Sequence, residues 1–184
     1  MRKAEKKDIR QIFEIVEDCF GKNYMTEGEL IEHIESPESF LYLNEAGEDI
    51  AAISLYTVEE IDVAAENSKE SVELLQNLSC GRNIVHCKFL CVNKKLQKGG
   101  YGKKLIKELE DYIEDLNISS AVYTVLCEYN NSIPAKGIFE NNGFKFRRRL
   151  SRPWYGDESY SCPVCKGRCV CEGYTYFKKT GEVL

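Results

Sequence analysis

The chain has 184 residues, 43% of them hydrophobic and 30% charged, with a formal net charge of -5. That composition suits one domain with a sizeable core and excludes a disordered chain. The acidic balance argues against a nucleic-acid partner, which needs a basic surface. No run reaches the ~18 to 20 apolar residues of a bilayer span, so no membrane partner is expected. The charged opening lacks the apolar core of a signal peptide, and a cytoplasmic protein follows as the expectation.

Residues 8–20 carry Ile9, Ile12, Phe13, Val16 and Phe20 at helical spacing, and Gly21 follows as a stop. A second short helix is expected over 26–34, with Thr26 and Glu29 forming a capping box. Residues 40–43 and 50–57 read as an antiparallel hairpin around a polar turn. Residues 58–83 read as an insertion, with a helix over 68–78 inside it. A strand follows over 84–92, then the best amphipathic helix of the chain over 100–116. The nearly all-apolar run 121–127 suits a central strand. A helix over 132–142, capped by Ser132 and stopped at Gly143, precedes strands over 144–150 and 174–178. Arg147, Arg148 and Arg149 read as a solvated strand end. The order predicts an α+β fold: a mixed, mainly antiparallel sheet of six to seven strands with helices on both faces.

Gln97, Lys98, Gly99, Gly100, Tyr101 and Gly102 join the strand ending at Val92 to the next helix. Unpaired N–H groups at a helix start point outward, and the helix dipole favours negative charge there. With Lys98, Lys103 and Lys104 around it, this turn is a phosphate site by physical logic. It lacks the Gly-Lys-Ser/Thr of a nucleotide P-loop and the glycine spacing of a dinucleotide fingerprint.

Those six residues resemble the pyrophosphate loop of the GNAT acetyltransferase family, Gln/Arg-x-x-Gly-x-Gly/Ala. The run from Ala135 through Phe139 to Gly143 and Phe144 is similar to the family's fourth-helix pattern. The opening Arg2-Lys3-Ala4, followed by Asp8 and Ile9, is similar to its first strand and helix. The resemblance covers roughly residues 1–150 and 172–180. It implies a single domain over 1–184 that uses acetyl-CoA as cosubstrate. The amides from Lys98 to Gly102, with Lys103, would wrap the diphosphate. Leu90 and Val92 would pair with the pantetheine, in a gap between the strands at 84–92 and 121–127. The N–H of Leu90 or Cys91 would meet the oxyanion.

Alignment on Gln97 places His86 where some members carry a glutamate base, with side chains alternating at His86, Lys88, Leu90 and Val92; Glu59 and Glu60 are rivals. The family's helix tyrosine is Phe139 here, which packs against pantetheine without donating a proton. Tyr129 or solvent then serves as acid. Ser132 replaces an asparagine and can still touch the cofactor. The implied function is transfer of an acetyl group to a primary amine of a small molecule or protein, with a homodimer compatible. Alternatives are a non-catalytic acyl-CoA-binding module and a metal-dependent protein-interaction module.

Nine cysteines are many for a reducing compartment. Cys19, Cys80, Cys87, Cys91 and Cys127 sit in apolar surroundings and read as buried thiols. Cys162, Cys165, Cys169 and Cys171 lie within ten residues, in an insertion over 151–172. Cys-Pro-x-Cys followed by glycine resembles a zinc knuckle, and four thiolates complete a tetrahedral site. Disulfides, free thiols and an iron-sulfur cluster are the other readings. Pro153, Trp154 and Tyr155 are candidates for a wall of the acceptor pocket.

Overall fold

In the computed structural model, which describes residues 1–60, 83–116, 121–128 and 131–179, the elements follow the expected order. They are β1 (Arg2–Lys3), α1 (Ile9–Phe20), α2 (Glu27–Glu35), β2 (Ser39–Ala46), β3 (Asp49–Glu60), β4 (Asn83–Val92), α3 (Tyr101–Asp115), β5 (Ala121–Cys127), α4 (Lys136–Glu140), β6 (Lys145–Leu150) and β7 (Gly173–Lys179). The capping box at α2 forms: Thr26 Oγ1 accepts from Glu29 N at 3.2 Å, and Thr26 N donates to Glu29 Oε2 at 2.7 Å. No helix among the described residues is long and apolar enough to cross a membrane.

The seven strands form one sheet in the order β1-β2-β3-β4-β5-β7-β6. Only β4 and β5 pair in parallel. Each face carries its own core. Ile12, Ile15 and Val16 of α1 and Leu30 of α2 pack on Leu41, Leu43, Ile53 and Leu55. Ile106, Leu109 and Ile113 of α3 and Phe139 of α4 pack on Tyr56, Val85, Cys87 and Val122.

A bulge in β4 positions the site. Leu55 pairs with Phe89 and Tyr56 with Cys87, so the register skips Lys88. One extra residue inverts the in–out alternation beyond it. Val85 and Cys87 face α3, whereas Phe89 and Cys91 face α1 and α2. His86 therefore lies on the α1/α2 face, and Leu90 and Val92 on the α3 face. The expected alternation of His86, Lys88, Leu90 and Val92 on one side is corrected.

Two other expectations change. Residues 58–60 extend β3, where Glu59 and Glu60 pair with Ile84 and Asn83; the expected helix over 68–78 lies outside the described residues. The last helix begins at Lys136, with Ala135 and not Ser132 at its N-cap. The cause is Pro134, which disfavours helical geometry at Ile133, together with Asn131 at φ 58°. Ser132 stays exposed ahead of the helix, as a bridge residue.

The α3-side core holds one buried acid. Glu110 is 5% exposed; Lys178 Nζ lies 2.6 Å from its Oε2, and its Oε1 has no partner. Burial outweighs the Lys178 ammonium and pushes this carboxyl up to about 7. A folded-state pKa above the unfolded one means that the native state binds the extra proton between the two values. Stability should therefore fall as pH rises from about 4.5 to about 7, by on the order of 2–3 kcal/mol. Urea titrations at pH 5 and pH 8 check this, and Glu110→Gln should remove most of the difference.

Candidate active site

The diphosphate turn begins at Asn93, whose side chain accepts from Lys95 N at 3.1 Å and starts a short 3-10 turn. Lys98 and Gly100 then take left-handed backbone, at φ 66° and φ 81°. Among the described residues, the amides of Lys98, Gly100, Tyr101, Gly102 and Lys103 have no acceptor; Gly99 N reaches Leu96 O only at 3.4 Å. Gly102 is held close to β4, since a Cβ there would stand 3.0 Å from Val92 Cγ2 and 3.5 Å from Leu90 Cδ2. Gln97 and Lys98 are exposed, as are Lys103 and Lys104 on the first turn of α3. The turn thus offers free N–H groups, a helix dipole and ammonium groups to an anion.

Beside this turn the sheet opens. Among the described residues, β4 and β5 pair only at Val85–Val122, His86–Tyr123 and Cys87–Thr124. Past Cys87, β4 continues with β3 while β5 continues with β7. The main chain of Leu90, Cys91 and Val92 therefore borders a gap that no described strand fills. The predicted splay is present, and the bulge at Lys88 marks its apex.

On the α1/α2 face of that apex, five polar side chains meet. His86 Nδ1 lies 3.0 Å from Glu59 Oε1, and Lys88 Nζ lies 2.7 Å from the same oxygen. Tyr123 donates to Glu59 Oε2 at 2.6 Å, and Thr57 to Oε1 at 3.0 Å. The His86 and Tyr123 rings stack at 4.2 Å. Burial disfavours the Glu59 anion, but the bonds from His86, Lys88 and Tyr123 outweigh it and hold the carboxyl below the usual range. Burial lowers the His86 pKa, against the pull of Glu59. At neutral pH the pair is carboxylate and neutral imidazole. Nδ1–H donates to Glu59, which leaves a lone pair on Nε2.

The four predicted cysteines converge. Their sulfurs all lie within 4.8 Å of one another, with Cys171 Sγ 3.7 Å from Cys162 Sγ and 3.5 Å from Cys165 Sγ. Tetrahedral Zn–S bonds of about 2.3 Å place sulfurs about 3.8 Å apart, so the set fits such an ion. Lys166 takes φ 55° and its N–H bonds to Cys162 O, the tight turn that a knuckle requires. Val170 N–H points at Cys165 Sγ, 3.4 Å away. No disulfide forms among the described cysteines. Cys127, read from sequence as an isolated thiol, packs against this cluster from β5 together with Trp154 and Tyr160.

Of the other anticipated residues, Phe139 is 1% exposed, set edge-on against Phe144 at 5.0 Å inside the α3-side core. It is a core residue and not a wall for pantetheine. Tyr129 lies outside the described residues. The sequence reading missed Tyr123 because a parallel register cannot be counted from a turn.

The sheet is thus split beside a turn whose free amides and ammonium groups suit an anion. The chain belongs to the acetyltransferase (GNAT) family, whose sequence model matches residues 9–144, and it is an acyl-CoA N-acetyltransferase. No curated protein sequence matches significantly. Among solved structures, Arabidopsis thaliana NAA60 in complex with a bisubstrate analogue is similar at 17% identity and TM-score 0.74, covering 99% of this chain and 98% of that one. Its complex with acetyl-CoA is similar at 18% identity and TM-score 0.72, over 97% and 96%. The Escherichia coli ribosomal-protein-S18-alanine N-acetyltransferase is similar at 14% identity and TM-score 0.68, over 100% and 96%. At these identities the structural likeness speaks for the fold.

Proposed function

We propose that this enzyme transfers the acetyl group of acetyl-CoA to a primary amine by direct attack, with His86 as general base. The observation that carries this reading is the contact of His86 Nδ1 with Glu59 Oε1, 3.0 Å long, at the apex of the splay. When bound, acetyl-CoA supplies an activated thioester. The free amides from Lys98 to Lys103 hold its diphosphate, and Leu90 and Val92 align its arm along β4. His86 Nε2 takes the proton of the incoming ammonium, and Glu59 fixes the ring and stabilises the imidazolium that forms. The N–H of Leu90 or Cys91 faces the developing oxyanion. The N–C bond forms as the C–S bond breaks, the nitrogen releases its second proton to solvent, and Tyr129 or solvent returns a proton to the thiolate.

The test is thiol release from acetyl-CoA over a panel of polyamines, aminoglycosides, amino acids and peptide N-termini. Peptide N-termini come first, since one similar solved structure is named as a ribosomal-protein-S18-alanine N-acetyltransferase. Turnover with at least one amine supports the reading. Binding of acetyl-CoA without release on any amine supports a non-catalytic acyl-CoA-binding module instead.

We further propose that Cys162, Cys165, Cys169 and Cys171 hold one structural zinc ion. A cytoplasmic setting, where thiols stay reduced, suits four unbridged cysteines. Metal analysis of the purified chain should find about one zinc per molecule, and Cys165→Ser should lower that content at least fivefold. Retention of a full equivalent by the variant would remove Cys165 from the ligand set.

A further inference from the structure

The cysteine loop is tied to the connection between α1 and α2, on the face of the sheet that carries His86. Ser161 N–H donates to Lys22 O at 3.2 Å, Asn23 Nδ2 to Ser159 O at 3.1 Å, and the Tyr160 hydroxyl to Phe20 O at 2.9 Å. All three partners lie at or just past the end of α1, in the connection to α2. At Gly21 a Cβ would stand 2.6 Å from Ser161 O and 2.8 Å from Pro163 Cδ, so loop and connection touch backbone to backbone. Tyr160 also meets Tyr24 edge-on at 5.8 Å. Tyr24 in turn donates to Lys88 O at 3.3 Å, the residue that the β4 register skips. Lys88 pairs with Glu59, which holds His86. One run of contacts therefore leads from the cysteines to the general base.

We propose that metal binding at the four cysteines sets the order of residues 20–25, beside the His86–Glu59 pair, and leaves the glycine-rich turn independent of it. This rests on the zinc reading given above. Residues 151–172 hold no helix or strand longer than the single bridge between Cys162 and Gly167. Ordering a segment of that length costs about 1–2 kcal/mol per residue. Its buried side chains are Cys162, Cys169 and Cys171, so the ion is the group able to offset that cost. When the loop loosens, Phe20 O and Lys22 O lose the donors described above, and Tyr24 loses the ring of Tyr160. The diphosphate turn packs instead on Val92 and Leu90, through Gly102.

Hydrogen exchange of the full chain, zinc-loaded against chelated, tests this alongside a coenzyme A titration. Trp154, the single tryptophan, packs on the cysteines and reports metal uptake by its emission. Removing zinc should shift that emission and speed exchange at least tenfold over both 160–171 and 20–25. The Kd for coenzyme A should stay within twofold. Faster exchange confined to 160–171 overturns the coupling and leaves the metal site standing. No zinc uptake, with unchanged Trp154 emission, overturns both. Tyr160→Phe in the zinc-loaded chain should keep the metal and speed exchange over 20–25 alone; unchanged exchange there counts against the coupling.

Discussion

Replacing His86 with alanine should lower kcat by about 10²- to 10⁴-fold, the range for a general base, with acetyl-CoA affinity within twofold. The ring lies on the α1/α2 face of β4, whereas the diphosphate turn packs on the α3 face, so the two effects separate. The pH profile adds a second reading. The imidazole must be neutral to accept a proton, and burial lowers its pKa from the ordinary histidine value of about 6.5. The kcat of the parent chain should be flat around pH 7 and fall tenfold per unit only below a value under 6.5. If Glu59 were itself the base, its ionised range would extend below pH 4.5, and no such limb would appear above that pH. Glu59→Gln separates these further. It keeps the shape but no longer fixes the tautomer or stabilises the imidazolium, so kcat should fall while KM for acetyl-CoA holds.

The second large effect is expected at the turn. Gly100 takes φ 81°, and a Cβ there would meet nothing within 4 Å. Gly100→Val therefore tests the backbone without a clash. A β-branched residue is a steric outlier at that φ, so the peptide turns and the amides of Gly100 and Tyr101 point elsewhere. Hydrogen bonds to a charged partner contribute about 1.5–3 kcal/mol each. Losing one to two of them should raise the Kd for coenzyme A by roughly 100-fold. Thermal stability should change little, because the loop is exposed. Titration calorimetry with the parent and the variant reads both quantities; an unchanged Kd would mean that this turn does not hold the diphosphate.

The elements were legible because their signals are local. The apolar stripe of α1, the capping box of Thr26 and Glu29, and the glycines after β4 each act within a few residues. The same holds for the four cysteines, whose convergence follows from a tight turn at Lys166. What the sequence hid depends on register. The skip at Lys88 is one residue in an otherwise regular strand, yet it moves His86 to the face opposite Leu90 and Val92. Tyr123 comes beside His86 only through the parallel pairing of β4 with β5, which no hairpin sets. Phe139 occupies the place of a functional tyrosine in the motif, but α4 turns it into the core against Phe144. Ser132 looked like a cap because its side chain suits one, and Pro134 moved the helix start three residues on. Tyr160 and Tyr24 are 136 positions apart in the chain, and nothing in either segment announces the other.

The central claim concerns the N–H groups of Lys98, Gly100, Tyr101, Gly102 and Lys103. Titrating 15N-labelled protein with coenzyme A reads each of them separately. They should show the largest amide shifts in the spectrum and slower exchange with solvent when saturated. Unmoved resonances across 98–103, with binding detected elsewhere on the chain, would contradict the account.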